Sequence, residues 1–135
     1  MKITLALLFV FPLFAGAQIQ LSVFVEDVRT SAGNINVAVY NKADGFLKFD
    51  KVFKSGHTRA MEGVTHLYID NLPEGEYALA VFHDENGNNK LDTNWLGIPR
   101  ENFGFSKGKV KLFGPPSFAE CAMKISADSE IRISL

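Results

Sequence analysis

One stretch concentrates the chain's potential for chemistry: His83-Asp84-Glu85-Asn86-Gly87-Asn88-Asn89-Lys90-Leu91-Asp92-Thr93-Asn94. It is too polar and too rich in Gly and Asn for a strand or a helix, so it reads as a loop. Asp84, Asn86, Asn88 and Asp92 place side-chain oxygens at alternating positions. In a tight loop such oxygens can converge on one point, which suits a hard cation such as calcium with its roughly 6–8 oxygen ligands. With Asp84 first, Asn86, Asn88 and Asp92 fall at the third, fifth and ninth positions, and the Lys90 carbonyl falls at the seventh, where the EF-hand also uses backbone. The register then departs from that motif: Asn89 stands at the sixth position instead of Gly, and Trp95 at the twelfth instead of Glu. The loop is therefore not an EF-hand, and Glu101 is the downstream carboxylate that would complete the set. Two or three carboxylates imply an affinity on the order of 10⁻⁴–10⁻³ M, as in extracellular modules. The alternative is a metal-free turn, in which Asn and Asp side chains hydrogen-bond neighbouring backbone and Gly87 supplies the reversal.

Other residues bear on function more weakly. His83 precedes the loop and could join Asp84 or Asp92 around a transition metal, or Asp84 and Glu101 in a hydrolytic site. His57 and His66 lack ligand spacing, and no nucleophilic-triad, zinc-protease, phosphate-loop or dinucleotide motif occurs. The expectation is a non-enzyme. Trp95, Phe103 and Phe105 lie beyond the loop. Large apolar residues in a connection either pin it to the core or form a recognition surface, here for glycan, peptide or a protein partner. Cys121 is the single cysteine and cannot close an internal disulfide. Cys121, Met123 and Ile125 alternate with Ala122 and Lys124, which predicts a buried thiol on a strand.

The elements that must carry these residues alternate with period two. Ile19, Leu21, Val23 and Val25 share one face, and Ile35, Val37 and Val39 form a second such set. Phe46, Phe49 and Phe53 recur at helix-like offsets, which fits a short helix or an irregular edge within 46–62. A strand pattern resumes from Thr58, with Leu67, Ile69 and Leu72 inward. Asn71-Leu72-Pro73-Glu74-Gly75 is a turn. Tyr77 to Phe82 is a nearly continuous apolar run, as in a central strand buried on both faces. After a long connection over 84–106, strands are expected at Lys109–Phe113, Ala119–Ile125 and Glu130–Leu135. About seven short strands at close spacing predict an all-β, antiparallel β-sandwich, immunoglobulin-like or, as the resemblance of Leu72-Pro73-Glu74-Gly75-Glu76-Tyr77 to the turn-and-strand of such domains implies, transthyretin-like.

The N-terminus reads as a signal peptide over residues 1–17. Lys2 gives the positive start, Ile3 to Phe14 the apolar run, and Ala15-Gly16-Ala17 the small-residue cleavage site. The run is too short for a comfortable membrane span of about 20 residues, and no second one follows. The mature domain is residues 18–135, long enough for one core. The expected location is the periplasm, the outer surface or the extracellular space. The formal charge of −1 gives no electrostatic footprint for nucleic acid and no basic patch for a membrane surface.

Four segments occur in an order that resembles the bacterial domain-of-unknown-function 2141 family. They are Gly33-Asn34-Ile35-Asn36-Val37-Ala38-Val39-Tyr40-Asn41, Leu72-Pro73-Glu74-Gly75-Glu76-Tyr77-Ala78, His83-Asp84-Glu85-Asn86-Gly87-Asn88, and Gly97-Ile98-Pro99-Arg100-Glu101-Asn102-Phe103-Gly104-Phe105-Ser106. Pro115-Pro116-Ser117-Phe118 fits the same pattern. The resemblance spans nearly the whole mature chain and implies an exported bacterial β-sandwich of about this length, with no activity attached. Members of that family often carry Gly-Asn-Gly-Lys-Leu-Asp in the loop, where this chain has Asn89 for the second Gly.

Overall fold

The computed structural model describes residues 16–135. The expected leader falls outside the described residues except for Gly16 and Ala17. Among the described residues eight strands form two sheets: β1 (Ile19–Val28), β2 (Asn34–Tyr40), β3 (Lys54–Arg59), β4 (Gly63–Leu72), β5 (Gly75–Asp84), β6 (Phe103–Phe105), β7 (Met123–Ile125) and β8 (Ser129–Ser134). The smaller sheet has the order β4-β1-β8. The larger runs β3-β2-β5-β6, and β7 pairs with the early part of β5. No helix among the described residues is long and apolar enough to cross a membrane.

The alternation expected in the sequence builds the core. Leu21, Val23 and Val25 on β1, with Leu67, Ile69 and Leu72 on β4, face Ile35, Val37 and Val39 on β2 and Leu79 and Val81 on β5. Ile131 and Ile133 on β8 extend that layer. The opposite face of β1 is polar and aromatic, with Phe24 stacked on His66 at 4.1 Å between ring centroids and Arg132 over the Phe24 ring. The Asn71–Gly75 turn is fastened by Tyr77, whose hydroxyl donates to the Pro73 carbonyl at 2.7 Å.

Three local expectations change. The sandwich is mixed rather than wholly antiparallel, because β8 lies parallel to β1. Lys109–Phe113 is not a strand: β6 and β7 already occupy the free edge of β5, so the segment has no partner and makes only a turn, bridged from Lys111 to Gly114. Ala119–Ile125 divides into helix α1 (Phe118–Cys121) and β7. A capping box drives this helix, since Ser117 Oγ accepts from the Glu120 N–H while the Glu120 carboxylate accepts from the Ser117 N–H. Within 46–62 there is one short 3₁₀ turn, Phe49–Lys51, ahead of β3.

Helix α1 covers one end of the outer face of the larger sheet. Phe118 and Cys121 pack there on Tyr40 and Ala78, with Phe46 edge-on to Tyr40 and Phe118. Ser106 locks the helix down: its hydroxyl accepts from the Leu79 N–H at 2.8 Å and donates to the Cys121 carbonyl at 2.7 Å. Cys121 is buried as expected, but on a helix, and burial pushes its thiol pKa up. The rest of that outer face is not covered in this way.

Candidate functional site

Strand register fixes what the uncovered face presents, because directly opposed residues point to the same side. One row across the larger sheet is Ser55–Ala38–Ala80–Phe105 and the next is His57–Asn36–Phe82–Phe103. The first row has three small side chains ending at an aromatic one, so the sheet's surface dips there. Three segments rise around the dip. Leu47, Phe49 and Val52 come from the turn before β3, Leu91 and Gly97–Pro99 from the long connection after β5, and Val110 and Pro115 from the segment before α1. Together they enclose a cleft of about 830 Å³, within the roughly 300–1,000 Å³ of small-molecule sites.

Asp84 is the next outward residue of β5 after Phe82, opposite Asn34, and it anchors the connection that forms one wall. Its carboxylate is fully buried. Oδ1 accepts from the Asn88 N–H at 3.1 Å, Oδ2 from the Asn89 N–H at 2.7 Å, and the Asn36 amide approaches Oδ2 at 3.5 Å. Asn89 takes φ of +59° and Gly87 +73°. Asn is the non-glycine residue that best tolerates this left-handed region, so the turn forms with Asn89 at this position.

The remaining loop residues satisfy one another. Asn86 Oδ1 accepts from the Asn88 N–H at 3.1 Å, and Asn88 Oδ1 from the Lys90 N–H at 2.9 Å. Asp92 accepts from the side-chain amides of both Asn86 (2.5 Å) and Asn88 (2.9 Å). Glu101 does fold back onto the loop: its two oxygens accept from the Glu85 and Asp92 N–H groups at 3.1 and 3.0 Å. Asn94 continues the pattern by accepting from the Leu96 and Ile98 N–H groups. Asp84, Asn86, Asn88, Asp92 and Glu101 therefore belong to one hydrogen-bonded network, with Lys90 an exposed backbone donor to it. Among the described residues no group of three or more His, Cys, Asp or Glu side chains converges to hold an ion.

His83 faces the opposite way from Asp84. Its Nε2 lies 2.7 Å from the Ala32 carbonyl, and a carbonyl can only accept, so Nε2 donates. Nδ1 lies buried, 3.8 Å from Glu85 Oε1. Among the described residues no hydrogen bond joins the side chains of His83, Asp84 and Glu101: His83 Nε2 donates to the Ala32 carbonyl, Asp84 accepts from the Asn88 and Asn89 N–H groups, and Glu101 from those of Glu85 and Asp92.

The three aromatic candidates divide. Phe103 and Phe105 sit on β6, edge-on to each other at 5.7 Å, and line the cleft. Trp95 does not line it and is 89% exposed, so it is not the core anchor that loop aromatics usually are. Leu112 (90%) and Phe113 (97%) are equally exposed. Ala38 and Ala80, the small residues that make the dip, carry no chemistry of their own. They show up in the sequence only as small residues at outward positions of β2 and β5, where a solvent-facing strand would carry polar side chains.

The model of a family described as "Uncharacterized protein conserved in bacteria (DUF2141)" matches residues 23–133. No curated protein and no solved structure matches the chain.

Proposed function

The chain belongs to this bacterial family, DUF2141, and we propose that it is an exported, non-enzymatic binding module whose ligand enters the cleft on the outer face of the larger sheet. The observation that carries the reading is the floor of that cleft. Ala38, Ala80 and Ser55 leave a depression walled by Phe82, Phe103 and Phe105. Close packing is the rule in protein interiors, so an apolar, walled void of this size is a feature of the fold's surface that a ligand can fill. Export rests on the Lys2, Ile3–Phe14 and Ala15-Gly16-Ala17 pattern. Binding rather than catalysis rests on His83, Asp84 and Glu101 each being held by separate backbone partners.

The test is the fluorescence of N-phenyl-1-naphthylamine, an uncharged probe that brightens in apolar sites. The wild-type protein should bind it at micromolar concentration, and Ala80→Phe, which fills the floor, should weaken binding at least tenfold while the fold persists by circular dichroism. Equal binding by the filled variant would remove the cleft as the site.

A second reading concerns the loop itself: calcium held by Asp84, Asn86, Asn88, the Lys90 carbonyl, Asp92 and Glu101. In its favour, Asn86 and Asn88 both reach Asp92, and Glu101 returns to the same loop. Binding requires both amides to turn from N–H toward oxygen, because hard cations take oxygen ligands. A rise in melting temperature with millimolar calcium, not reproduced by magnesium, supports it. No shift leaves the network as an Asx-rich turn held by its own hydrogen bonds.

A further inference from the structure

The lining of the cleft restricts its ligand further, if the cleft is the binding site proposed above. Among the described residues no Asp, Glu, Lys or Arg side chain lines it. An ammonium group seated there would lose hydration without a counter-charge, and a carboxylate or phosphate would meet only the His57 imidazole, which carries charge only when protonated. The polar side chains are also unevenly placed. Asn36 and His57 oppose each other across β2 and β3, Ser55 is two residues from His57 on the same face, and Asn89 belongs to the adjoining loop. Asn36 turns its amide N–H toward Asp84, which leaves its oxygen available to a ligand donor. Away from this corner the lining is Phe, Leu, Val, Ile, Pro, Ala and Gly, with Tyr40 at the covered end.

We infer that the cleft takes an uncharged amphiphile, with its chain or ring body over Ala38 and Ala80 and a hydroxyl or carbonyl group at the Asn36–His57 corner. The mouth fits such a ligand. Phe49, Ile98 and Val110 are exposed at its rim while also lining the cleft, so an apolar body can slide in without first crossing a polar collar. Charged relatives of the same chain length keep the hydrophobic gain but bring their charge to a corner that has no carboxylate, lysine or arginine to pair it.

The experiment is displacement of N-phenyl-1-naphthylamine from the purified protein at pH 8. The competitors are 1-monolauroylglycerol, laurate and dodecyltrimethylammonium, each below its micellar concentration. The uncharged glyceride should displace the probe at a concentration at least tenfold lower than either ion. Asn36→Leu should weaken the glyceride about tenfold while the probe still binds. Equal displacement by the three competitors, or a glyceride affinity unchanged in Asn36→Leu, overturns the inference about ligand class and leaves the cleft standing. Probe binding that survives Ala80→Phe instead places the amphiphile on the exposed Trp95 or Leu112–Phe113 surface and overturns both.

Discussion

Removing the Asp84 carboxylate should loosen the wall of the cleft as well as the protein as a whole. The side chain is fully buried and accepts from two consecutive backbone N–H groups, those of Asn88 and Asn89, besides facing the Asn36 amide. A hydrogen bond to a charged group contributes about 1.5–3 kcal/mol, which for two bonds suggests about 3–6 kcal/mol. The donors belong to residues exposed as a whole, so water replaces part of what is lost. We therefore expect Asp84→Ala to cost about 2–3 kcal/mol, and Asp84→Asn, which keeps one acceptor, about half of that. For a domain of this size the alanine variant should melt roughly 8–12 °C lower. Urea unfolding in chelator measures it directly, and the probe affinity of the folded variant should fall as Leu91 and Pro99 lose their support. Asp92→Asn is the control, because its partners are the exposed side chains of Asn86 and Asn88. In chelator it should cost below about 1 kcal/mol, in keeping with exposed polar pairs, and a larger loss confined to millimolar calcium would mark an ion at the loop. An Asp84→Ala variant within about 0.5 kcal/mol of wild type in chelator would refute the idea that this carboxylate braces the connection.

Two further outcomes follow from the packing. A Cβ at Gly104 would meet the Ser134 carbonyl oxygen and the Ile133 side chain at 2.3 and 2.9 Å, so Gly104→Ala should destabilise by about 1–3 kcal/mol, read from the urea midpoint; an unchanged midpoint would contradict the close seating of β6 on β8. The Lys111 ammonium and the Ser117 backbone and hydroxyl hold the Glu120 carboxyl down from 4.5 to about 2. Because the folded value is the lower one, whatever Glu120 contributes to α1 is present above pH about 4.5 and lost as pH falls through about 2. An NMR titration should place its midpoint near 2 and move it upward in Lys111→Ala, whereas a wild-type midpoint near the ordinary 4.5 would disprove the cap.

Much of the sandwich was legible because burying one face of a strand writes period two into the chain: Ile19 to Val25, Ile35 to Val39 and Leu67 to Ile69 are inward as their spacing requires, while Leu72, three residues on, returns inward at the register shift beside Asn71, whose φ is +58°. The direction of β8 was not legible, since Ile131 and Ile133 would point inward equally well in an antiparallel strand, and pairing with β1 over a hundred residues away leaves no local trace. Helix α1 was hidden because Cys121, Met123 and Ile125 imitate strand alternation. The signal that reveals it is Ser117 followed three residues later by Glu120, a capping box too short-ranged to compete with the period until the free edge of β5 is seen to be taken.

The oxygen-rich loop was the plainest motif in the sequence and the cleft the least visible, yet they are parts of one arrangement. Asp84 follows Phe82 on the outward face of β5. The strand that lays Ala80 and Phe82 into the cleft therefore ends on the carboxylate that ties down the next segment. That tie sets where Asn89 and Leu91 stand, and Glu101 closes the connection before Phe103 and Phe105 return it to the sheet. Ala38 and Ala80 become neighbours only once β2 and β5 are in register, which is why two residues without functional groups define the space while the polar loop beside them gives that space its wall. On this account a change in the loop alters ligand binding through the position of Leu91 and Pro99, with no contact between Asp84 and the ligand. Variants of the loop and of the floor should then differ in kind. Asp84→Ala should weaken the probe and the protein's stability together, whereas Ala80→Phe should weaken the probe alone.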